Sequence, residues 1–112
     1  MSRMMYATLV DKKVVPSETI TTWGSEADRR VGLNDIGEAR VSTVFLGLNH
    51  NFGTRADQWF ETMVFGGQYD QEQERYETWD QAEAGHKKWC RTVRRSQNWF
   101  LRILDRIVGF FG

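Results

Sequence analysis

The hydrophobic pattern of the 112-residue chain changes its period once, and this change constrains the fold more than any other feature. Up to residue 67, apolar residues alternate with polar ones or form short runs between turn signals, which is typical of β-strands. From Thr78 onwards they recur at helical spacing, on a stripe formed by Trp79, Ala82, Trp89, Cys90 and Val93. Strands followed by helices predict an α+β fold.

The strand segments predict a four- or five-stranded, mainly antiparallel sheet. MMYATLV and DKKVV, before Pro16, have the pattern of a hairpin, and residues 19–28 could hold one short helical turn. RRVGLNDIGEARVSTVFLGLNH predicts two strands around the turn signal NDIG. WFETMVFGG, residues 59–67, predicts a further strand after a polar loop whose length suits an antiparallel pair.

A helix over residues 78–95 is predicted to lie across one face of this sheet. Thr78 as N-cap and Gln81 three residues later form a capping-box pattern. Acidic residues fill its first turn and basic residues its last, an order that complements the helix dipole. Residues 70–83 are mostly acidic among their charged positions and residues 87–106 mostly basic. We attribute this change of charge mainly to the helix dipole, and a binding role is the alternative.

Residues 96–112 predict a second, amphipathic helix, capped by Ser96 or Asn98, after a single domain over residues 1–95. Its apolar side is wider than one contact surface of a small domain needs, and it is too short to span a bilayer. We expect it to be an oligomerisation element that joins copies of the chain. The expected interface residues are Trp99, Phe100, Ile103, Leu104, Ile107 and Phe111.

The net charge and the number of cysteines bear on the expected partners and on the expected cellular compartment. The net charge is zero, so there is no overall electrostatic attraction to nucleic acid or membranes. The basic segment HKKWCRTVRR could grip phosphates, but an acidic block precedes it, and we do not favour nucleic acid as a partner. A single cysteine, Cys90, and the lack of a secretory pattern at the start predict a cytoplasmic protein.

Polar residues at the end of the strongest strand are the candidate site. Asn49, His50 and Asn51 follow VSTVFLGL, Glu61 lies in the next strand, and His86 lies on the apolar stripe of the helix. Strand pairing could bring His50 beside Glu61, and the helix could add His86. We expect these five residues to form a polar ligand-binding rim.

Three other interpretations of these residues stay open. They could form a satisfied structural network, they could act as acid and base through His50, Glu61 and His86, or His50 and His86 could hold a divalent metal. The spacing matches no metal signature, so we assign no metal site and expect no cofactor.

Four motifs occur in one order over residues 27–86: ADRRV, VSTVFLGLNHNFG, FETMVFGG and ERYETWDQAEAGH. With a weaker match at YATLVDKKVVP, they resemble a widespread family of small proteins encoded in tailed-phage and prophage genomes. Asn49 stands where that pattern more often has aspartate, and the tail after residue 96 is an addition to it. The resemblance implies a phage origin and an accessory role, and it implies no particular chemistry.

The expected function is that of a non-catalytic binding module acting in the host cell. It would inhibit a host protein, such as a defence component, or sequester a small host molecule. The alternative is a small hydrolase or lyase that uses His50, Glu61 and His86. A role in the virion or its assembly also stays open.

Overall fold

A computed structural model describes residues 5–18, 29–49 and 56–111, with side chains beyond Gln97 described for residues 103 and 106–109. Within this part the fold is α+β, as the sequence predicts, and every strand pairing is antiparallel. The elements are β1 (Tyr6–Val10), β2 (Lys13–Ser17), β3 (Arg30–Ile36), β4 (Ala39–Phe45), β5 (Phe60–Phe65), β6 (Gln73–Tyr76) and α1 (Trp79–Phe111). The helical turn expected at residues 19–28 lies outside the described residues.

The predicted first hairpin is confirmed. β1 and β2 form a two-stranded sheet around Asp11 and Lys12, which have φ values of 50° and 67°. Two consecutive positive φ values are typical of the type I′ turn, whose twist matches that of the strands. β1 also reaches the end of β4, because Ala7 N donates to Gly47 O over 3.1 Å.

The second sheet has the strand order β3-β4-β5-β6, and its first turn differs from the prediction. Asn34, Asp35 and Ile36, taken from the sequence as turn residues, lie in β3, and the turn consists of Gly37 and Glu38. Ile36 is 8 % exposed, so burial of its side chain favours the extended conformation over the local turn signal. Gly37 adopts a φ of 58°, which glycine reaches without steric cost.

β6 was not predicted, because its sequence QERY carries no run of apolar residues. Its inward residues are Glu74 and Tyr76, which lie opposite Thr62 and Phe60 of β5. Both side chains reach partners on other elements, so tertiary contacts rather than hydrophobic alternation support this strand.

The start of α1 follows the predicted capping box. Thr78 Oγ1 accepts a hydrogen bond from Gln81 N over 3.1 Å, and Gln81 Oε1 accepts one from Thr78 N over 3.3 Å. The prediction of a separate second helix is wrong, because α1 continues to Phe111. Ser96 does not act as a cap; its hydroxyl donates to the Val93 carbonyl within the helix. No helix in the described ranges is long and apolar enough to cross a membrane.

The continuous helix also changes the interpretation of the basic block. Lys87, Lys88, Arg91, Arg94 and Arg95 lie in the middle of α1, and its last turn contains no basic residue. The dipole effect is confined to the terminal turns, so it does not explain these cations. Lys87 and Lys88 form ion pairs, and the three arginines are exposed on the helix surface.

The core under α1 consists of two apolar clusters. One contains Ile36, Ala39, Val41, Val64, Cys90 and Val93, and the other contains Ala7, Phe45, Trp59, Phe60 and Ala82. Trp59 belongs to the second cluster, and Trp79 and Trp89 pack against the clusters as partly buried residues. Between the clusters lie three buried polar residues, Thr43, Thr62 and His86.

Candidate functional site

His86 occupies the polar layer between α1 and the sheet. It is 7 % exposed, and its two ring nitrogens contact different strands. Nδ1 lies 2.7 Å from Thr43 Oγ1 of β4, and Nε2 lies 2.7 Å from Asn34 Oδ1 of β3. Gly32 makes this position possible, because a Cβ at that residue would lie 2.5 Å from His86 Nε2.

The hydrogen bonds continue across the sheet to β6. Thr43 Oγ1 lies 2.5 Å from Thr62 Oγ1, which lies 3.0 Å from the Tyr76 hydroxyl. That hydroxyl is in turn 3.0 Å from Glu74 Oε1. Gly85 leaves room for it, because a Cβ there would overlap the Tyr76 ring and hydroxyl. Side chains from all four strands and α1 therefore form one connected line.

Glu74 ends this line at the opposite flank of α1. Its Oε1 accepts hydrogen bonds from Lys88 Nζ over 2.7 Å and from Trp89 Nε1 over 3.2 Å. Partial burial alone would raise the pKa of Glu74, but the hydrogen bonds from Lys88 and Tyr76 outweigh it and bring that pKa below its ordinary value. Glu74 is therefore a carboxylate at neutral pH.

An ionised Glu74 fixes the direction of the hydrogen bonds. A carboxylate only accepts, so the single Tyr76 hydroxyl proton points to Glu74 and the Thr62 hydroxyl donates to Tyr76. Thr43 then donates to Thr62, and the Thr43 oxygen accepts from Nδ1–H of His86. Burial of the Tyr76 hydroxyl, together with the hydrogen bond that it donates to Glu74, raises the pKa of Tyr76 to about 12.

These hydrogen-bond directions also determine which ring nitrogen of His86 carries the proton. Burial lowers the pKa of His86, so the neutral ring is favoured, with its proton on Nδ1. Nε2 is then an acceptor, so the Asn34 amide has to turn by half a turn to place its NH2 group where its Oδ1 lies, 2.7 Å from Nε2. Asn34 can therefore satisfy both the neutral and the charged ring.

This geometry supports the structural-network interpretation of His86. Both ring nitrogens have partners at hydrogen-bond distance, so a general base or a metal ligand would have to break one of these bonds. Among the described residues, no group of three His, Cys, Asp or Glu side chains is placed to hold a metal ion.

Glu61 does not lie beside His86, and its predicted position next to His50 stays untested because His50 lies outside the described residues. Thr62, the neighbour of Glu61 in β5, faces α1, and successive side chains of a strand point to opposite faces. Glu61 therefore lies on the outer face, where its Oε2 accepts a hydrogen bond from Arg75 Nε over 3.0 Å. The sheet separates the two members of the predicted acid/base group.

Asn49 has a role in closing a loop. Its side chain donates to Asp57 Oδ1 over 2.8 Å and accepts from Gln58 N over 2.9 Å. These bonds join the two ends of the segment between β4 and β5. His50 and Asn51, the other members of the predicted rim, lie outside the described residues.

The predicted tail interface is described only in part. The Ile103 side chain is half-buried, while Ile107 and Val108 are 48 % and 67 % exposed. The side chains of Trp99, Phe100, Leu104 and Phe111 lie outside the described residues. Self-association through the tail stays a prediction.

A groove that the sequence analysis did not identify lies between β3 and α1. It has a volume of about 480 Å³. The lining residues are Val31, Gly32, Asn34, Glu83, His86, Lys87, Cys90, Arg91 and Arg94. The signal in the sequence was the spacing of Lys87, Arg91 and Arg94, which places three cations on one side of a helix.

The groove carries an excess of positive charge. Among its described lining residues the one carboxylate is Glu83, which is bound to Lys87 Nζ over 3.5 Å and to Trp79 Nε1 over 3.1 Å. Within the described part of the chain, neither Arg91 nor Arg94 forms an ion pair. Two exposed guanidinium groups are therefore available to an anionic ligand at this wall.

Comparison with known proteins adds no relative. No protein-family model matches the chain, and neither the curated proteins nor the solved structures give a match. The function has to be inferred from the described residues.

Proposed function

We propose that the chain is a non-catalytic binding module that holds an anionic segment of a partner protein in the groove between β3 and α1. The observation that carries this proposal is the wall formed by Lys87, Arg91 and Arg94. These cations are neither at a helix end nor, for the two arginines, engaged with a described carboxylate. The resemblance to phage proteins favours a host protein as the partner and the host cytoplasm as the place.

The charge distribution supports a local rather than a general attraction. The chain has 15 basic and 15 acidic residues, so it has no net charge to steer anions from a distance. Attraction must come from the groove itself, where the described lining residues include three cations and one carboxylate. A bound acidic segment would form charge-assisted hydrogen bonds with the two arginines, and these are stronger than hydrogen bonds between neutral groups.

A binding role agrees better with this geometry than hydrolase or lyase chemistry does. Catalysis by the predicted group needs Glu61 and His86 at one substrate, and they lie on opposite faces of the sheet. His86 at the floor of the groove has both ring nitrogens engaged. His86 joins α1 to Asn34 of β3, and the arginines on the wall of the groove are the groups that would contact a ligand.

Fluorescence anisotropy tests the proposal with two labelled peptides of equal length, one rich in glutamate and one rich in lysine. We expect the glutamate peptide alone to bind, with an affinity that falls as salt is added. The double variant Arg91→Gln/Arg94→Gln should weaken binding at least about tenfold, because it removes two charge-assisted contacts.

Arg95→Gln is the matched control. Arg95 is exposed on the same helix but does not line the groove, so this variant should bind as the unmodified protein does. Equal loss in Arg95→Gln would mean general electrostatic attraction and would contradict the proposal. So would equal binding of the two peptides.

A further inference from the structure

The outer edge of β3 is the second wall of the groove. β3 is at one end of the four-stranded order, and no described strand pairs with its other side. An edge strand presents unpaired N–H and C=O groups to which another extended chain can add. Val31, Gly32 and Asn34 of β3 line the groove together with the cationic side of α1.

The hairpin between β3 and β4 determines which backbone groups point outwards. Its loop has two residues, so the flanking pair, Ile36 and Ala39, is a hydrogen-bonded pair. Such pairs alternate with non-bonded pairs along an antiparallel ladder. Leu33 and Asp35 therefore belong to non-bonded pairs, and their N–H and C=O groups point away from β4.

A bulge limits the length of this open edge. The register of β3 against β4 shifts between Arg30 and Gly32, which interrupts the regular ladder at that end. The regular part, Gly32 to Ile36, is about 16 Å long at the usual rise of a strand. A segment of about five residues could pair along it.

The spacing of Lys87 and Arg91 along α1 is close to that of alternate side chains in an extended peptide, and Arg94 lies in the same direction beyond them. Lys87 and Arg91 are separated by about 6 Å along the axis of α1, and Lys87 and Arg94 by about 10 Å. Every second side chain of a strand lies on the same face, at intervals of about 6.7 Å. Acidic side chains at alternate positions of an added strand would therefore meet the cationic wall in succession.

Aromatic positions favour a peptide over single-stranded nucleic acid. Recognition of a single strand combines basic groups with aromatic rings on which bases stack. The described residues that line this groove include no Phe, Tyr or Trp. Trp89, the aromatic residue within the basic segment, lies at the other flank of α1, where its Nε1 donates to Glu74.

The geometry points to strand addition: an acidic peptide in extended conformation pairs with Leu33 and Asp35 of β3 and places alternate carboxylates against Lys87, Arg91 and Arg94. This inference rests on the proposed function, because it specifies the occupant of the same groove. It adds backbone pairing, which the proposed function does not need. Main-chain hydrogen bonds supply affinity in this mode, and the side chains on the groove side supply specificity.

Amide hydrogen exchange followed by NMR tests the backbone pairing. The probe is a short peptide with glutamate at alternate positions and threonine between them. On its addition, we expect the Leu33 and Asp35 amides to gain protection by at least about tenfold, because they acquire hydrogen bonds. The amides of Asn34 and Ile36, already bonded within the hairpin, are internal controls and should change little.

Two N-methylated forms of the same peptide provide the second measurement. One carries N-methyl groups at the glutamates and the other at the threonines, so each removes the amide donors from one edge of the peptide. Strand addition predicts that one form loses affinity at least about tenfold while the other binds as the parent does.

The outcomes separate the two proposals. If the parent peptide binds but Leu33 and Asp35 gain no protection, or both methylated forms bind equally well, strand addition is wrong and the groove remains an anion-binding site. If no acidic peptide binds at low salt, the proposed function fails and the further inference fails with it.

Discussion

Thr43 of β4 and Thr62 of β5 lie directly opposite each other, with their hydroxyl oxygens 2.5 Å apart and both side chains fully buried. This pair is the centre of the polar line that runs from Asn34 to Glu74 between two apolar clusters. A buried hydroxyl is costly unless it is hydrogen-bonded, so each member depends on the next. Several expected effects of substitution follow from that dependence.

Thr43→Val keeps the shape of the side chain and removes the hydroxyl that joins His86 to Thr62. We expect a loss of about 1–3 kcal/mol in the free energy of unfolding, because two buried polar groups lose a partner. Urea denaturation measures it. Ser42→Ala, on the opposite face of the same strand, is the control and should change stability by less than about 0.5 kcal/mol. Equal effects of the two variants would contradict the network.

Gly32→Ala should destabilise the fold by about 1–3 kcal/mol, because the added methyl group overlaps the His86 ring and forces it to move. Gly109 is a matched control in the exposed part of α1, where an added Cβ would have no neighbour within 4 Å among the described residues. Gly109→Ala should be neutral or stabilise by up to about 1 kcal/mol through helix propensity. Thermal unfolding followed by circular dichroism compares them, and a neutral Gly32→Ala would show that His86 is not confined there.

Stability should fall as the pH is lowered through the range just below 6.5, the ordinary pKa of histidine. Burial lowers the pKa of folded His86, so the unfolded chain binds the proton first and unfolding is favoured as pH falls. The slope can reach about 1.4 kcal/mol per pH unit. Urea denaturation across this range should show a smaller slope in His86→Gln. An unchanged slope would assign the effect to another group.

The lowered pKa of Glu74 predicts a separate effect in more acidic solution. Its carboxylate contributes stability that is present above its ordinary pKa of 4.5 and is lost as the pH falls below that value. Urea denaturation at a series of acidic pH values measures this loss. Glu74→Gln should reduce the acid sensitivity in this lower range and leave the slope near pH 6.5 in place. If Glu74→Gln removed both slopes, the two groups would titrate as one unit.

Removing residues 99–112 should convert an oligomer to a monomer if the tail joins copies of the chain. The deletion retains Gln97, whose Nε2 donates to the Ile36 carbonyl at the end of the sheet. Exposed apolar side chains such as Ile107 and Val108 gain burial only from a partner surface. Light scattering at micromolar concentration measures the mass. A full-length chain that is already monomeric would rule out the interface.

Local signals predicted the parts of the fold that depend on neighbouring residues. Thr78 and Gln81 identify the helix start because their hydrogen bonds join residues three apart. The turn at Asp11 and Lys12 is equally local. The position of Gly37 was missed because burial of Ile36, which depends on distant residues, decides where the turn begins.

The candidate site was less predictable, since it depends on strand pairing and on the side to which each residue points. His86 was correctly expected to face the sheet. Its partner Thr43 looked like an ordinary strand residue, and Glu61 was preferred because it is ionisable. The alternation of Phe60, Thr62 and Val64 already indicated that Thr62 faces inwards and Glu61 outwards.

The tail is a direct continuation of α1 and is not joined to it by a linker. From Gln97 to Phe111 the helix advances by about 21 Å without a hinge. Its direction is set where His86, Cys90 and Val93 pack on the sheet. A partner bound to the C-terminal end of α1 would therefore lie at a defined distance from the groove beside β3 and at a defined angle to it. Inserting a single residue beyond Gln97 would rotate the residues of the tail by about 100° around the helix axis relative to the groove.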